Sequence, residues 1–468
     1  MLGRPGGEAR SNPNGGGSAR GARTERRPSL GFSLPGRGDR AVDRAQSHLQ
    51  GSLRLPHHGN QVLTGPLWVD VEAAEYPSLA GDIEVDVAIV GGGLTGVGAA
   101  WTLRESKLRV ALLEERTLGS GASGRNGGFV LAGPAMSYCD AVSKCGAEAA
   151  REVWQLTVEN NRLMAELIDQ HSIDCGFLRG GSLSLAVDEE ELMILQRCRD
   201  ALDEAQISTA MLARDELPVP FDRMYLGGIY YPGNAEMNSG AFVRGMGHAV
   251  RQSTLIFERT TVRGLSHDGR WVLETSGGTI RADSVILATN AYTGRLLPAV
   301  PLTPTRGQVV ATAPLDRVIV PFPIYANYGY QYWRQTVEGR LVVGGWRDID
   351  LLTEVGTEER ANTLILKHLE DFVRAVAGDV PIEYRWSGIM AFTPDEFPLV
   401  GAVPDNRGLF IAAGYSGHGV SMAFTCGGLA AQMALGQSPV IPKVFHPGRQ
   451  LEAAALDVGR GPHRGELQ

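Results

Sequence analysis

Apolar residues first gather into an unbroken run at Val87-Ala88-Ile89-Val90, behind Asp86, the pattern of a parallel strand covered on both faces. The run enters Gly91-Gly92-Gly93-Leu94-Thr95-Gly96, a helix-like stretch follows, and a second run from Arg109 to Leu113 ends at Glu114. That order predicts strand, tight turn, helix, strand, acid. Further on, Val153, Leu156, Leu163, Met164 and Leu167 recur at helical spacing, predicting a helix from about Ala147 to Gln170, and a second helix is expected from Glu189 to Ala205. Ser182 to Val187 alternates like a half-buried strand. The runs Ile256–Val262, Arg270–Thr275 and Thr279–Ala282 predict a small antiparallel meander, and Ser284–Asn290 a separate buried strand. Several short β-like runs lie between Gln308 and Gly345. Gly408–Ile411 is a strand leading through Gly414-Tyr415-Ser416-Gly417-His418-Gly419 into a small-residue helix ending near Leu435. The stretch Leu118 to Gly128 is too rich in glycine for regular structure.

The first sixty residues break this pattern. They are rich in Gly, Arg, Ser and Pro and lack apolar periodicity, so they are expected to be a disordered tail or to follow from a start codon set too early, with an organelle transit peptide as the alternative. The 468 residues suffice for two domains, and 43% hydrophobic content is ordinary for a globular chain. A formal charge of -8 argues against nucleic-acid binding, and no apolar run is long enough to cross a bilayer. The five cysteines are scattered without a C-x-x-C pair, which points to a reducing, cytoplasmic setting and away from a disulfide framework or a metal site.

The glycine turn carries the first candidate chemistry. Gly91 permits the tight turn, Gly93 lets a pyrophosphate approach the backbone, and Gly96 lets the helix lie close to the strand. The helix start presents N–H groups to phosphates, and Glu114, about 20 residues on, stands where an acid binds ribose hydroxyls.

Beyond this turn, the chain resembles the FAD-dependent D-amino acid oxidase-like superfamily, and within it the γ-glutamylputrescine oxidase-like branch. The resemblance covers roughly residues 67–436. It is carried by the run Gly119 to Gly128, Ile173-Asp174-Cys175, Ala288 to Tyr292, Tyr332-Trp333-Arg334, Thr393-Pro394-Asp395 and Gly414 to Gly419. It implies an α/β fold: a discontinuous Rossmann-like, glutathione-reductase-like FAD-binding domain (67–135, 225–300, 386–440) with an inserted antiparallel-sheet substrate domain (136–224, 301–385). Residues 1–62 and 441–468 would be tails.

The resemblance also implies where FAD lies. Gly91, Gly93, Leu94, Thr95, Gly96 and Glu114 would hold pyrophosphate and ribose. Gly121, Ala122, Ser123, Arg125, Asn126 and Gly127 would run along the flavin. Val262 would meet adenine, with Ala288 and Thr289 near the ribose. Gly414, Gly417, His418, Gly419 and Val420 would present a helix start to the flavin's pyrimidine edge. Some relatives tether the flavin through Cys or His; the matching places here are Gly388 and Arg125, so non-covalent FAD is expected.

The implied reaction is hydride transfer from an amine or amino acid to flavin N5, followed by imine hydrolysis, with oxygen or an electron carrier as acceptor. A carrier- or quinone-coupled dehydrogenase and a non-catalytic flavoprotein with an assembly role are the alternatives. Candidate catalytic or substrate residues are His418, Tyr332 and Arg334, the last as partner of a substrate carboxylate or as half of an internal ion pair. Arg347 is a second carboxylate candidate. Tyr328, Tyr330, Tyr332 and Trp333 are candidates for an aromatic wall or for sheet packing. Asp395 is read as fixing its own turn.

Overall fold

The computed structural model describes residues 65–69 and 74–451; the expected N-terminal tail and most of 441–468 lie outside them. Two eight-stranded sheets organise these residues. In the first, Ile83–Val90 lies between Val110–Leu113 and Thr279–Leu287, all parallel, with Val87 opposite both Val110 and Ser284. Thr254–Phe257 and Leu409–Ala413 extend it in parallel on either side, and Leu399–Ala402 closes one edge antiparallel. Val87, Ala88, Ile89 and Val90 are all buried, as an unbroken apolar strand under two covered faces must be.

Helix Leu94–Leu103 and helix Ala423–Ala434 cross on one face of this sheet. Their approach is close enough that a Cβ on Gly427 would lie 1.9 Å from the Thr95 carbonyl oxygen. The long helix Ala147–His171 buries Val153, Met164 and Leu167 against the same core, matching its periodicity. Its Asn160 side chain donates to the Val420 carbonyl at 3.1 Å and accepts from Thr425 N–H at 3.1 Å. The helix thereby pins the C-terminal glycine loop.

The second sheet is antiparallel except where Ile324–Ala326 runs parallel to Ser182–Leu185. Its longest members, Thr303–Pro314 and Ile382–Phe392, pair along most of their length. Helix Thr363–Ala377 covers one face, and Trp333, Phe372, Leu369 and Phe221 fill the core between them. Gly227–Tyr231 and Ile382–Phe392 belong to this sheet, although the divisions at 225 and 386 gave them wholly or in part to the cofactor domain.

Four local expectations need correction. The run Ile256–Val262 is not one strand: Thr254–Phe257 joins the parallel sheet and Val262–His267 the meander. Between them the chain turns at Arg259, φ 49°, and Glu258 beside it accepts from Glu75, Tyr76 and Leu118 N–H groups. Conversely, Thr279–Leu287 is one strand where two were expected. The glycine-rich stretch contains a one-turn helix, Ala122–Arg125. Finally, Cys139 and Cys198 form a disulfide with Cα atoms 4.9 Å apart, joining helices Tyr138–Cys145 and Glu189–Glu204. The expectation of unpaired cysteines fails there, and the compartment read from it loses that support. Among the described residues no helix is long and apolar enough to cross a membrane.

Candidate active site

A cavity of about 570 Å³ runs between the two sheets. Its first wall is the turn after Ile83–Val90. Gly92 N–H donates to the Glu114 carboxylate at 2.8 Å and Arg116 N–H donates to its other oxygen at 2.9 Å, so the acid is anchored at the end of the second strand. Burial nevertheless raises the Glu114 pKa, the two amides opposing it. A Cβ on Gly96 would fall 1.9 Å from the Gly91 carbonyl oxygen, which is why the turn accepts only glycine there. The helix starts at Leu94 with Gly93 as its cap, no capping side chain and no acid in its first turn. Such an end is suited to an anion.

The Gly119–Gly128 stretch forms the second wall. Leu94 N–H donates to Ser123 Oγ at 2.9 Å, tying this loop to the first. Asn126 donates to the Ala122 and Ser123 carbonyls and to Ser239 Oγ, and its Oδ1 accepts from Gly128 N–H, so it shapes the loop. Arg125 is buried, donating to the carbonyls of Ser120 and Ser387 and pairing with Glu359 at 3.0 Å. A Cβ on Gly388 would lie 3.1 Å from Arg125 Cβ, so these two positions face one another.

The C-terminal loop closes the cavity. Gly414 N–H donates to Asn290 Oδ1 at 3.0 Å, and Tyr415 Oη and Thr95 Oγ1 share a buried hydrogen bond of 2.8 Å. The helix here begins at Ala423, after a single tight turn at Gly419–Ser421, so Gly417-His418-Gly419 precedes the helix and does not start it. His418 keeps some surface in the cavity but is surrounded by protein, and this dehydration lowers its pKa to about 4. The imidazole is neutral at pH 7. Its Nδ1 has no aligned hydrogen-bond partner.

Rings line the far end. Phe129 meets Tyr325 and Tyr332 edge-on at 4.9 and 5.8 Å, and Tyr325 stacks on His418 at 6.0 Å. Burial raises the pKa of both tyrosines, so both phenols are neutral. Beside them Arg347 is held between the rings of Tyr330 and Phe392, 4.7 Å from each. It lines the cavity and is only partly buried. Tyr325 escaped the sequence reading, although its strand precedes the Tyr332 strand across a short turn and Tyr325 is paired with Tyr332.

Arg334 does not face the cavity. It is 3% exposed, pairs with Glu236 at 3.3 Å and donates to the carbonyls of Gly127 and Met237. A role for it in binding a substrate carboxylate is therefore withdrawn in favour of the internal ion pair. Trp333 points to the opposite face and packs in the second core, and Tyr328 is half exposed at the rim. Asp395 accepts from Phe397 N–H and takes both ends of Arg449, the turn-fixing part expected of it.

Gly91, Gly93, Leu94, Thr95 and Glu114 line the cavity, as do Gly121, Ala122, Ser123, Arg125, Asn126 and Gly127. Val262, Ala288, Thr289, Tyr332, Gly388, Gly417, His418, Gly419 and Val420 complete the set, while Gly96 and Gly414 stand just behind the wall. Among the described residues no group of three His, Cys, Asp or Glu side chains is placed to hold a metal ion.

The family described as FAD dependent oxidoreductase (DAO) matches residues 86–433. The chain belongs to that family. This match spans both sheets, so the D-amino acid oxidase-like resemblance holds for the cradle and for the ring-lined end alike. Gamma-glutamylputrescine oxidoreductase of Escherichia coli is 29% identical over 382 residues, 78% of this chain and 87% of that protein. Glycine oxidase of Geobacillus kaustophilus is 28% identical over 74% of this chain and 92% of its own length. In fold, the solved glycine oxidase from that organism superposes with TM-score 0.69 at 24% identity, covering 78% of this chain and 99% of that one. The L-proline dehydrogenase from P. horikoshii gives TM-score 0.67 at 21% identity, covering 81% and 99%. The cavity fits the family's FAD: a helix start whose cap residue is a glycine, with no acid in its first turn, suits a diphosphate, an anchored acid suits a ribose, and the cavity continues from them to the ring-lined end.

Proposed function

We propose that this FAD-dependent oxidoreductase oxidises the carbon–nitrogen bond of an amine or amino acid that also carries a carboxylate. The observation behind this reading is the juxtaposition of Arg347 with the Phe129, Tyr325, Tyr332 and His418 rings in the same cavity as the glycine turn. The names of the similar curated proteins, which specify a polyamine conjugate and glycine, support the substrate class.

When bound, FAD supplies the hydride acceptor at N5. The Gly91–Thr95 turn and Glu114 hold its diphosphate and ribose, and the Gly121–Gly127 loop supports the flavin. The rings give a nitrogen-bearing carbon a dry bed, where the neutral amine is favoured over the ammonium ion. No strongly basic side chain is then needed. Arg347 offers a planar fork to the carboxylate, and the flanking rings fix its plane. The imine product hydrolyses in water. Non-covalent attachment of FAD follows from glycine at 388 and arginine at 125, which offer neither sulfur nor imidazole at the two places where relatives tether the flavin.

Anaerobic mixing of the FAD-loaded protein with a panel of amines, amino acids and their decarboxylated analogues tests this. Bleaching of the flavin band by carboxylate-bearing amines is the expected result. A panel in which none bleaches the band refutes it, and bleaching only by amines without a carboxylate removes Arg347 from the account. Readmitting air then distinguishes oxygen from a carrier as acceptor.

A further inference from the structure

The side-chain hydrogen bonds of Arg334 all leave its own sheet. Its Nε donates to Gly127 O at 2.6 Å, Nη2 donates to Met237 O at 3.0 Å, and Nη1 faces Glu236 Oε2 at 3.3 Å. The Trp68 ring lies 4.9 Å from the guanidinium. Both charges are nearly inaccessible, at 3% and 2% exposure. A buried ion pair contributes little net stability, because desolvation offsets its attraction, and a well-packed apolar pair often serves as well. An apolar pair would not, however, aim two carbonyl groups. The rigid guanidinium fork does so, and Met237 N–H closes the circuit by donating to Gly128 O at 2.8 Å.

The same strand, Gln331–Gln335, carries Tyr332 two residues earlier and therefore on the same face. A Cβ on Gly127 would lie 3.1 Å from the Tyr332 ring. One strand thus supplies both the wall of the ring-lined end and the lock on the neighbouring loop.

We propose that Arg334, held by Glu236, is a positioning residue that fixes the Gly121–Gly127 loop at a set distance from the Tyr332 wall, so that the flavin and the substrate meet in register. This rests on the reading of that loop as the flavin's support. A residue of this type in a Tyr-Trp-Arg segment invites assignment to the substrate, and the structure assigns it to the cofactor loop.

The test has a flavin-free arm and a flavin-loaded arm. In flavin-free protein, amide hydrogen exchange at Gly128 and Met237 should quicken at least tenfold in Arg334→Lys and Arg334→Met, while helix Ala147–His171 exchanges as before. In FAD-loaded protein the visible circular dichroism of the flavin should change, and the dissociation constant for FAD should rise at least tenfold. Added guanidinium ion should restore the wild-type dichroism to Arg334→Ala. Arg385→Met, which breaks a pair with Glu370 between helix Thr363–Ala377 and its sheet, is the stability control and should alter neither signal. If Arg334→Met does not fold, Arg334→Lys and Glu236→Gln carry the test. Folded Arg334 variants with unchanged exchange and unchanged dichroism overturn the proposal, as does an equal response from Arg385→Met. Wild-type protein that takes up no FAD would instead refute the proposed function, and the exchange arm would still judge the clamp.

Discussion

The imidazole of His418 lies parallel to the ring of Tyr325, with centroids 6.0 Å apart and planes 16° from one another. The two come from different sheets or their connecting loops, and neither carries charge at neutral pH. The stack closes the ring-lined end with a pair of neutral, polarisable faces.

The first prediction concerns this histidine. Dehydration lowers its pKa from 6.5 to about 4, so the unfolded chain binds more protons than the folded one between those values. The stability due to the neutral ring is complete above pH 6.5 and is lost as pH falls toward 4. The whole effect is at most about 3 kcal/mol. Urea unfolding of flavin-free protein at a series of pH values should show this slope, and His418→Gln should flatten it. A wild-type slope between pH 7 and 4.5 no different from that of His418→Gln would contradict the neutral imidazole.

Gly96→Ala places a methyl group 1.9 Å from a backbone oxygen that cannot retreat without disturbing the turn. Overpacking of this kind costs about 1–3 kcal/mol. The variant should unfold at lower temperature and emerge from purification with little FAD. Gly233→Ala, outside the cavity and with nothing within 4 Å of its Cβ, should behave like wild type on both counts.

Glu114→Gln retains one acceptor where the carboxylate serves two amides. Hydrogen bonds to a charged group contribute about 1.5–3 kcal/mol, so FAD affinity should fall roughly ten- to hundredfold. Quenching of flavin fluorescence on titration measures it. An unchanged dissociation constant would remove Glu114 from the ribose site.

Arg347→Met should raise KM for carboxylate-bearing substrates by about tenfold or more, as loss of a charge-assisted fork requires, with kcat little altered. Substrates without a carboxylate should lose nothing. A fall in kcat alone would mean that the guanidinium acts on the reacting atoms.

Acid precipitation supplies the last check. With glycine at 388 and arginine at 125, all yellow colour should remain in the supernatant and the pellet should be white.

Much of this site is legible in local sequence because its parts are local. The Gly91–Gly96 turn, the acid at Glu114 and helix Ala147–His171 each follow from spacing and from the need to bury one face. The failures share a physical origin in distance along the chain. Arg334 finds its partners at Gly127, Glu236 and Met237, and no nearby residue signals that choice. Cys139 and Cys198 lie on separate helices that only the fold brings together. The run Ile256–Val262 reads as one strand until Glu258 is seen accepting three backbone N–H groups from elsewhere, which pulls the chain out of the sheet. Tyr325 sits in a three-residue strand too short to announce itself by periodicity.

The contact of Gly427 with the Thr95 carbonyl has a consequence for biogenesis. The turn that would receive the prosthetic group is translated early, but the helix that braces it, Ala423–Ala434, is translated near the end of the described residues. A nascent polypeptide halted before Ala423 has the phosphate grip without its buttress. A polypeptide ended there should capture the free nucleotide more weakly than the full chain, because the turn lacks its brace.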